Sequence, residues 1–186
     1  MRGTIFRELI DMIEKNYSLE LADRVISSSD LATGGAYTAV GTYDHREIIE
    51  LVERLSHETG VPGKDLLYAF GQHLFKRFAI LYPAFFAEQG SVFEFLSILD
   101  CKIHVEVTKL YPDAELPKFQ HEFPTPDKMI FIYSSIRPFG DLAQGLIQGC
   151  INYFAADIAL TREDLPCESG AHVCFTLTDL AYASHL

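Results

Sequence analysis

Ile5, Leu9, Met12 and Ile13 recur at helical spacing, so the chain is predicted to open on an amphipathic helix. The polar run Ser27-Ser28-Ser29-Asp30, followed by Thr33-Gly34-Gly35, reads as a surface connection. Asp44 with Glu47 has the form of a capping box. It precedes a stripe of Ile48, Leu51, Val52 and Leu55, and Gly60 closes that helix. Pro62 suits the first turn of the next helix, which carries Leu66, Leu67, Phe70, Leu74, Phe75 and Phe78. Ser91-Val92-Phe93-Glu94 is a second capping box. It predicts one long helix to about Leu110, with Leu96, Leu99, Ile103, Val107 and Leu110 inward. Pro112 and Pro117 stop that helix.

The period then changes. Residues 119–123 and 129–135 flank Pro124-Thr125-Pro126-Asp127, which predicts a hairpin with a longer loop. A helix comes next, from about Pro138 to Phe154, with Leu142, Leu146, Ile151 and Phe154 inward. Two more strands are expected near 157–161 and 172–178, where Val173, Phe175 and Leu177 alternate with His172, Cys174 and Thr176. Helices first and an antiparallel sheet afterwards make an α+β fold. We expect a helical lobe over about 1–62 and a second lobe over 63–186 with a four-stranded antiparallel sheet and helices. The length, 186 residues, fits one domain over 1–186.

Composition narrows the chemistry. Fifteen Lys and Arg against 26 Asp and Glu give a net charge of −11, which argues against nucleic acid and against anionic membrane surfaces. The four cysteines are too few for a disulfide scaffold and read as reduced thiols. Charges interrupt any signal-peptide core at the start. The most apolar stretch, 78–87, is too short to span a bilayer. A cytoplasmic location is therefore expected. An aromatic content of 12% suits a large apolar interior able to enclose a cofactor.

Two segments carry chemistry. In a strand, Tyr133, Ser135 and Arg137 would share a face and offer a phenol, a hydroxyl and a guanidinium, a set suited to carboxylates. Taken alone, the same residues also fit a solvated strand ending in a surface Arg. His104 lies between Ile103 and Val105, one position from an apolar stripe, with Asp100, Cys101, Val107 and Thr108 a turn away. The other six histidines stand in polar or surface-like contexts. His104 fits either a satisfied core histidine or the axial imidazole of a haem. Haem needs such a ligand, partners for two propionates and an apolar envelope.

With these segments in order, the chain resembles the H-NOX family, the haem–nitric oxide/oxygen binding domains related to the haem domain of soluble guanylate cyclase. The resemblance rests on Met1-Arg2-Gly3-Thr4-Ile5, on Ala69-Phe70-Gly71-Gln72 and on the run from Asp100 to Pro112. It continues through Leu116-Pro117, Tyr133-x-Ser135-x-Arg137 and Gly145-Leu146. It implies haem b between the two lobes and His104 as the axial iron ligand. It implies Tyr133, Ser135 and Arg137 as propionate anchors and Pro117 as a residue pressing on the haem. Ile5, Leu9, Leu74, Phe78, Leu142 and Leu146 would contribute to the haem pocket.

In the family, stable oxygen binding goes with a distal Tyr supported by Trp or Asn. Those positions fall here on Leu142, Leu9 and Leu74. Without a donor, bound oxygen loses a hydrogen bond worth roughly 1.5–3 kcal/mol, whereas NO and CO do not depend on it. The resemblance therefore implies a nitric oxide (and CO) sensor rather than an enzyme. The chain shows no cyclase, coiled coil or transmembrane segment, so output is expected through a separate protein such as a histidine kinase or a cyclic-di-GMP enzyme. An oxygen sensor or a thiol/haem redox sensor is the alternative. A peroxidase would need a distal acid–base residue, for which His73 is the nearest candidate. Cys167, His172 and Cys174 offer three donors for zinc, with Cys150 as a fourth, or else act as ordinary or redox-reactive thiols. The acidic run of Glu47, Glu50, Glu53 and Glu58 reads as a solvated face.

Overall fold

The computed structural model describes residues 1–110, 112 and 115–182, without the side chain of Leu110. Seven α-helices precede or interleave with a four-stranded antiparallel sheet of order β1-β2-β4-β3, so the fold is the expected α+β type. The helices are α1 (Gly3–Asn16), α2 (Leu19–Ser28), α3 (Arg46–Thr59), α4 (Gly63–Leu81), α5 (Val92–Ser97), α6 (His104–Leu110) and α7 (Gly140–Tyr153). The strands are β1 (Lys118–Thr125), β2 (Lys128–Ser135), β3 (Ile158–Asp164) and β4 (Ala171–Asp179). No described helix is long and apolar enough to cross a membrane.

The interior is divided between two buried clusters. Phe6, Leu9, Met12, Ile48, Leu51, Leu55, Phe70, Leu74 and Leu142 belong to the first, built mainly by α1 to α4. Phe75, Phe95, Phe131, Tyr133, Ile147, Cys150, Val173 and Phe175 belong to the second, against the inner face of the sheet. Helices α4 and α7 feed both clusters, and Phe78 and Leu146 pack against each.

Glycines let α4 and α7 cross with backbones touching. A Cβ on Gly71 would lie 2.6 Å from the Leu146 backbone nitrogen, and one on Gly145 would collide with the Tyr68 carbonyl oxygen. One on Gly149 would lie 2.6 Å from Phe75 Cβ. Only hydrogen fits at these three positions.

Several local expectations change. The long helix over 91–110 is broken. It runs as α5, then a π-helical turn over Leu99–Ile103, then α6. The Ile103 amide donates to the Ile98 carbonyl, five residues back, at 3.2 Å. The extra residue rotates α6 by about 100° relative to a continuous helix. Leu96 is buried, whereas Leu99, Ile103 and Val107 are only half-buried, so no single stripe runs through the segment. The expected inward side chain of Leu110 lies outside the described residues. Ser91 does cap α5, accepting from the Glu94 amide at 3.2 Å, and Glu94 reaches back to the Gly90 amide at 2.8 Å.

The Asp44–Glu47 capping box does not form. Asp44 accepts from the Arg46 amide, while Glu47 turns inward and accepts from Thr33 at 2.5 Å and Tyr37 at 2.6 Å. Glu47 is thus buried and leaves the expected solvated face. Helix α2 has no counterpart among the sequence expectations. Its signal is Ser18, which caps it, with Leu21, Ala22 and Val25 inward. The hairpin loop is also shorter than expected. Pro124 and Thr125 stay in β1, and only Pro126 and Asp127 turn, because an edge strand tolerates a proline without an amide.

Gly145→Ala should destabilise the protein by about 1–3 kcal/mol, because the added methyl has only backbone to displace. Chemical denaturation with an unchanged m-value checks this. An unaffected midpoint would mean that the α4–α7 crossing tolerates the extra carbon.

Candidate functional site

His104 begins α6 immediately after the π turn. Its Nδ1 lies 2.9 Å from Asp100 Oδ1, four residues back. The other Asp100 oxygen accepts from the Phe119 amide of β1 at 2.8 Å. An ionised carboxylate can only accept, so the proton belongs on Nδ1 and Nε2 keeps its lone pair. The His104 ring also lies over Phe119, with centroids 5.3 Å apart. Burial lowers the His104 pKa below the ordinary 6.5 and outweighs the opposing charge and hydrogen bond of Asp100. The imidazole is therefore neutral at pH 7, the form a metal ligand requires.

His104 and Pro117 line one cleft of about 520 Å³, together with Asp100, Val105, Thr108 and Leu116. Arg137 holds the segment that presents Pro117. Its guanidinium donates to the Glu115 carbonyl at 2.9 Å and to the Glu115 carboxylate at 2.7 Å. The Arg137 side chain is 12% exposed and that of Glu115 66%.

The expected strand row is only partly realised. Tyr133 is buried on the inner face of β2, Ser135 ends the strand, and Arg137 lies beyond it. Ser135 Oγ accepts from the Arg137 amide at 3.1 Å, which ties the last two together. Burial raises the Tyr133 pKa, so its phenol stays protonated and able to donate. Met1 and His45 join this corner. The terminal amine donates to the Tyr43 carbonyl at 2.6 Å, and both groups have pKa values lowered by burial and by the Arg137 charge. Sequence reading assigned no role to Asp100, Glu115 or His45. The available signal for Asp100 was a carboxylate one helical turn before a histidine.

Leu9, Leu74 and Leu142 meet in the first buried cluster, with Ile5, Phe78 and Leu146 packed against it. They do not line the His104 cleft. The leucines and the histidine thus stand in separate groups.

The zinc expectation changes. Cys167 is exposed in the β3–β4 connection, while His172 and Cys174 sit half-buried on the outer face of β4. Cys150 is buried on α7, and burial pushes its thiol pKa well up. Among the described residues, only Glu8, Asp11 and His73 bring three such ligand atoms within 4.8 Å of one another. His73 is half-buried in that polar cluster. Its Nε2 lies 3.2 Å from Glu8, so the ring is engaged away from a peroxidase-like role.

The donors fit the haem that the resemblance implies. Arg137 Nε is buried without a hydrogen-bond partner, an orphaned cationic donor of the kind a carboxylate satisfies. His104 supplies a neutral imidazole on a cleft that Pro117 also lines.

Comparison with known proteins shows the family. Residues 2–162 match the family model described as Haem-NO-binding. An H-NOX protein of K. algicida, solved as the Fe(II) unliganded protein, is 35% identical with a TM-score of 0.88, covering 96% of each chain. The H-NOX of Shewanella woodyi, solved in the Fe(II)CO state with IWP-051 bound, is 39% identical with a TM-score of 0.82. That alignment covers 96% of this chain and 94% of the other. An H-NOX protein of S. oneidensis in the Fe(II)NO state shares the fold at 23% identity and a TM-score of 0.85, over 95% of this chain and 98% of the other. No curated protein matches the sequence.

The depressed pKa of His104 has a definite sign. The folded chain takes up that proton less readily than the unfolded chain. The stability His104 contributes is therefore present above 6.5 and is lost as pH falls below it. In an NMR titration of the haem-free chain, His104 should protonate below 6.5, and Asp100→Asn should move its midpoint lower still. A midpoint that rises in Asp100→Asn would contradict the assigned causes.

Proposed function

The chain belongs to the Haem-NO-binding, or H-NOX, family of haem-based gas sensors, and on that premise we propose that it is a cytosolic sensor of nitric oxide. It binds haem b, with haem seated between the helical and the sheet lobes, and it is not an enzyme. The observation that carries this reading is His104, a neutral imidazole whose Nδ1 is committed to Asp100, on a cleft shared with Pro117.

Bound haem supplies an iron with a free coordination position for NO or CO. The chain's residues do the rest. His104 Nε2 would hold the haem iron. Arg137 Nε, the Tyr133 phenol and the Ser135 hydroxyl would hold the propionates. Leu9, Leu74 and Leu142 wall the gas side without a hydrogen-bond donor, so NO and CO are favoured over oxygen. Ile5, Phe78 and Leu146 would complete the apolar envelope, and Pro117, which lines the His104 cleft, would contact the haem.

The output runs through the His104 segment. Asp100 couples the His104 ring to the Phe119 amide, so a shift of His104 is felt both in the π turn and in β1. Arg137 couples the same region to Glu115, two residues before Pro117. NO moves this pair of linked elements between two states only as far as its affinities for the two differ. A separate signalling protein, a histidine kinase or a cyclic-di-GMP enzyme, reads the change.

Absorption spectra test the reading. The reduced protein should be five-coordinate, stay so in air, and change on adding CO or NO. His104→Gly should lose the axial bond, and added imidazole should restore the five-coordinate spectrum. A stable oxygen-bound spectrum in the wild type would favour an oxygen sensor instead. An unaltered spectrum in His104→Gly would remove His104 as the ligand.

Arg137→Ala should release haem faster than Ser135→Ala, because it removes a charge-assisted donor and not a neutral one. Haem transfer to apomyoglobin measures both rates. Equal rates would count against Arg137 as the main anchor.

A further inference from the structure

Outside the His104 region, α1 and α4 share a polar cluster in an otherwise apolar contact. Glu8 and Asp11 stand three residues apart on α1, so they lie on one face. His73 of α4 reaches both. Its Nε2 lies 3.2 Å from Glu8 Oε2 and 3.9 Å from Asp11 Oδ2, and the three ligand atoms all fall within 4.8 Å of one another. We propose that Glu8, Asp11 and His73 form a binding site for a divalent transition-metal ion of the zinc class.

The spacing suits such an ion. Arms of about 2.0–2.1 Å to nitrogen and oxygen give tetrahedral edges of about 3.3 Å. The Glu8–His73 edge already has nearly that length, and closing the Asp11 edge takes a small side-chain movement. One imidazole and two carboxylates are a donor set that zinc and its neighbours accept, with a position left for water. Access is graded: side-chain exposure is 9% for Glu8, 19% for His73 and 35% for Asp11. The ion would enter from the Asp11 side and meet Glu8 last.

Two cations occupy the carboxylates in the metal-free chain. Lys15 Nζ lies 2.7 Å from Asp11 Oδ2 and Arg77 Nε 2.8 Å from Glu8 Oε2. Lys15 is 59% exposed, so its ion pair is weak and easily displaced. Arg77 need not leave, because each oxygen of an ionised carboxylate carries two lone pairs and Glu8 Oε2 can serve the metal and Arg77 together. With Lys15 released, two carboxylates and Arg77 leave the bound site with a surplus of one positive charge, in a chain of net charge −11. The bound ion would pin α1 to α4 through donors that neither the His104 cleft nor the cysteines supply. The site does not rest on the gas-sensing reading.

Equilibrium dialysis of the haem-loaded full chain against zinc tests this, with metal counted per chain. The wild type and a Cys167→Ser/Cys174→Ser variant should both bind one zinc. His73→Gln and Asp11→Asn should each weaken binding by at least about tenfold. Both altered side chains are partly exposed, so the core is left intact. Anomalous diffraction at the zinc edge should place the ion between α1 and α4. Absence of zinc from the wild type overturns the proposal. So does undiminished binding in either the His73 or the Asp11 variant, or loss of the ion with the two cysteines.

Discussion

Asp100 is the hinge of the structure. One carboxylate oxygen accepts a hydrogen bond from His104 Nδ1 and the other accepts one from the Phe119 amide. That one side chain selects the histidine tautomer, fixes the ring over Phe119 and ties the broken helix to the sheet edge. The π turn serves the same end. Asp100 lies within that turn, and His104 follows it at the start of α6. Single π turns inside helices are commonly found beside functional side chains.

The second constraint is the backbone contact of α4 with α7. Gly71, Gly145 and Gly149 bring the two helices so close that both can contribute to two cores. Leu74 on α4 and Leu142 on α7 thereby meet Leu9 of α1 in one apolar cluster. The same helices deliver Phe75, Ile147 and Cys150 to the cluster under the sheet. The cluster around Leu9, Leu74 and Leu142 and the cluster under the sheet are thus separate parts of one framework, joined by α4 and α7.

Much of this was legible in the chain. Period-2 alternation in 172–178 and helical stripes in α1, α3, α4 and α7 survive folding, because each segment has one face against apolar neighbours over its whole length. The Ser91 cap and the α+β order came from local chemistry. His104 and the Tyr133–Arg137 segment stood out by residue type and spacing, and the family resemblance covered nearly the whole chain.

The sequence by itself determined residue chemistry and local period; only the tertiary structure decided which polar groups face each other across long separations. Glu47 looks like a helix-capping or solvated glutamate until Thr33 and Tyr37 fold over it. His73 looks superficial until α1 places Glu8 against it, 65 residues away in the chain. The broken helix over 91–110 gives no warning in its apolar spacing, because the π turn is held in part by Asp100 bonding to β1, 19 residues on. Cys167, His172 and Cys174 are near in sequence and still apart, because the strand points His172 and Cys174 to its outer face while Cys167 sits in the loop before it. Hydrophobic period is a property of a segment. Pairing of buried charges and hydrogen-bond donors belongs to the assembled core, where a carboxylate takes whichever donor the fold brings to it.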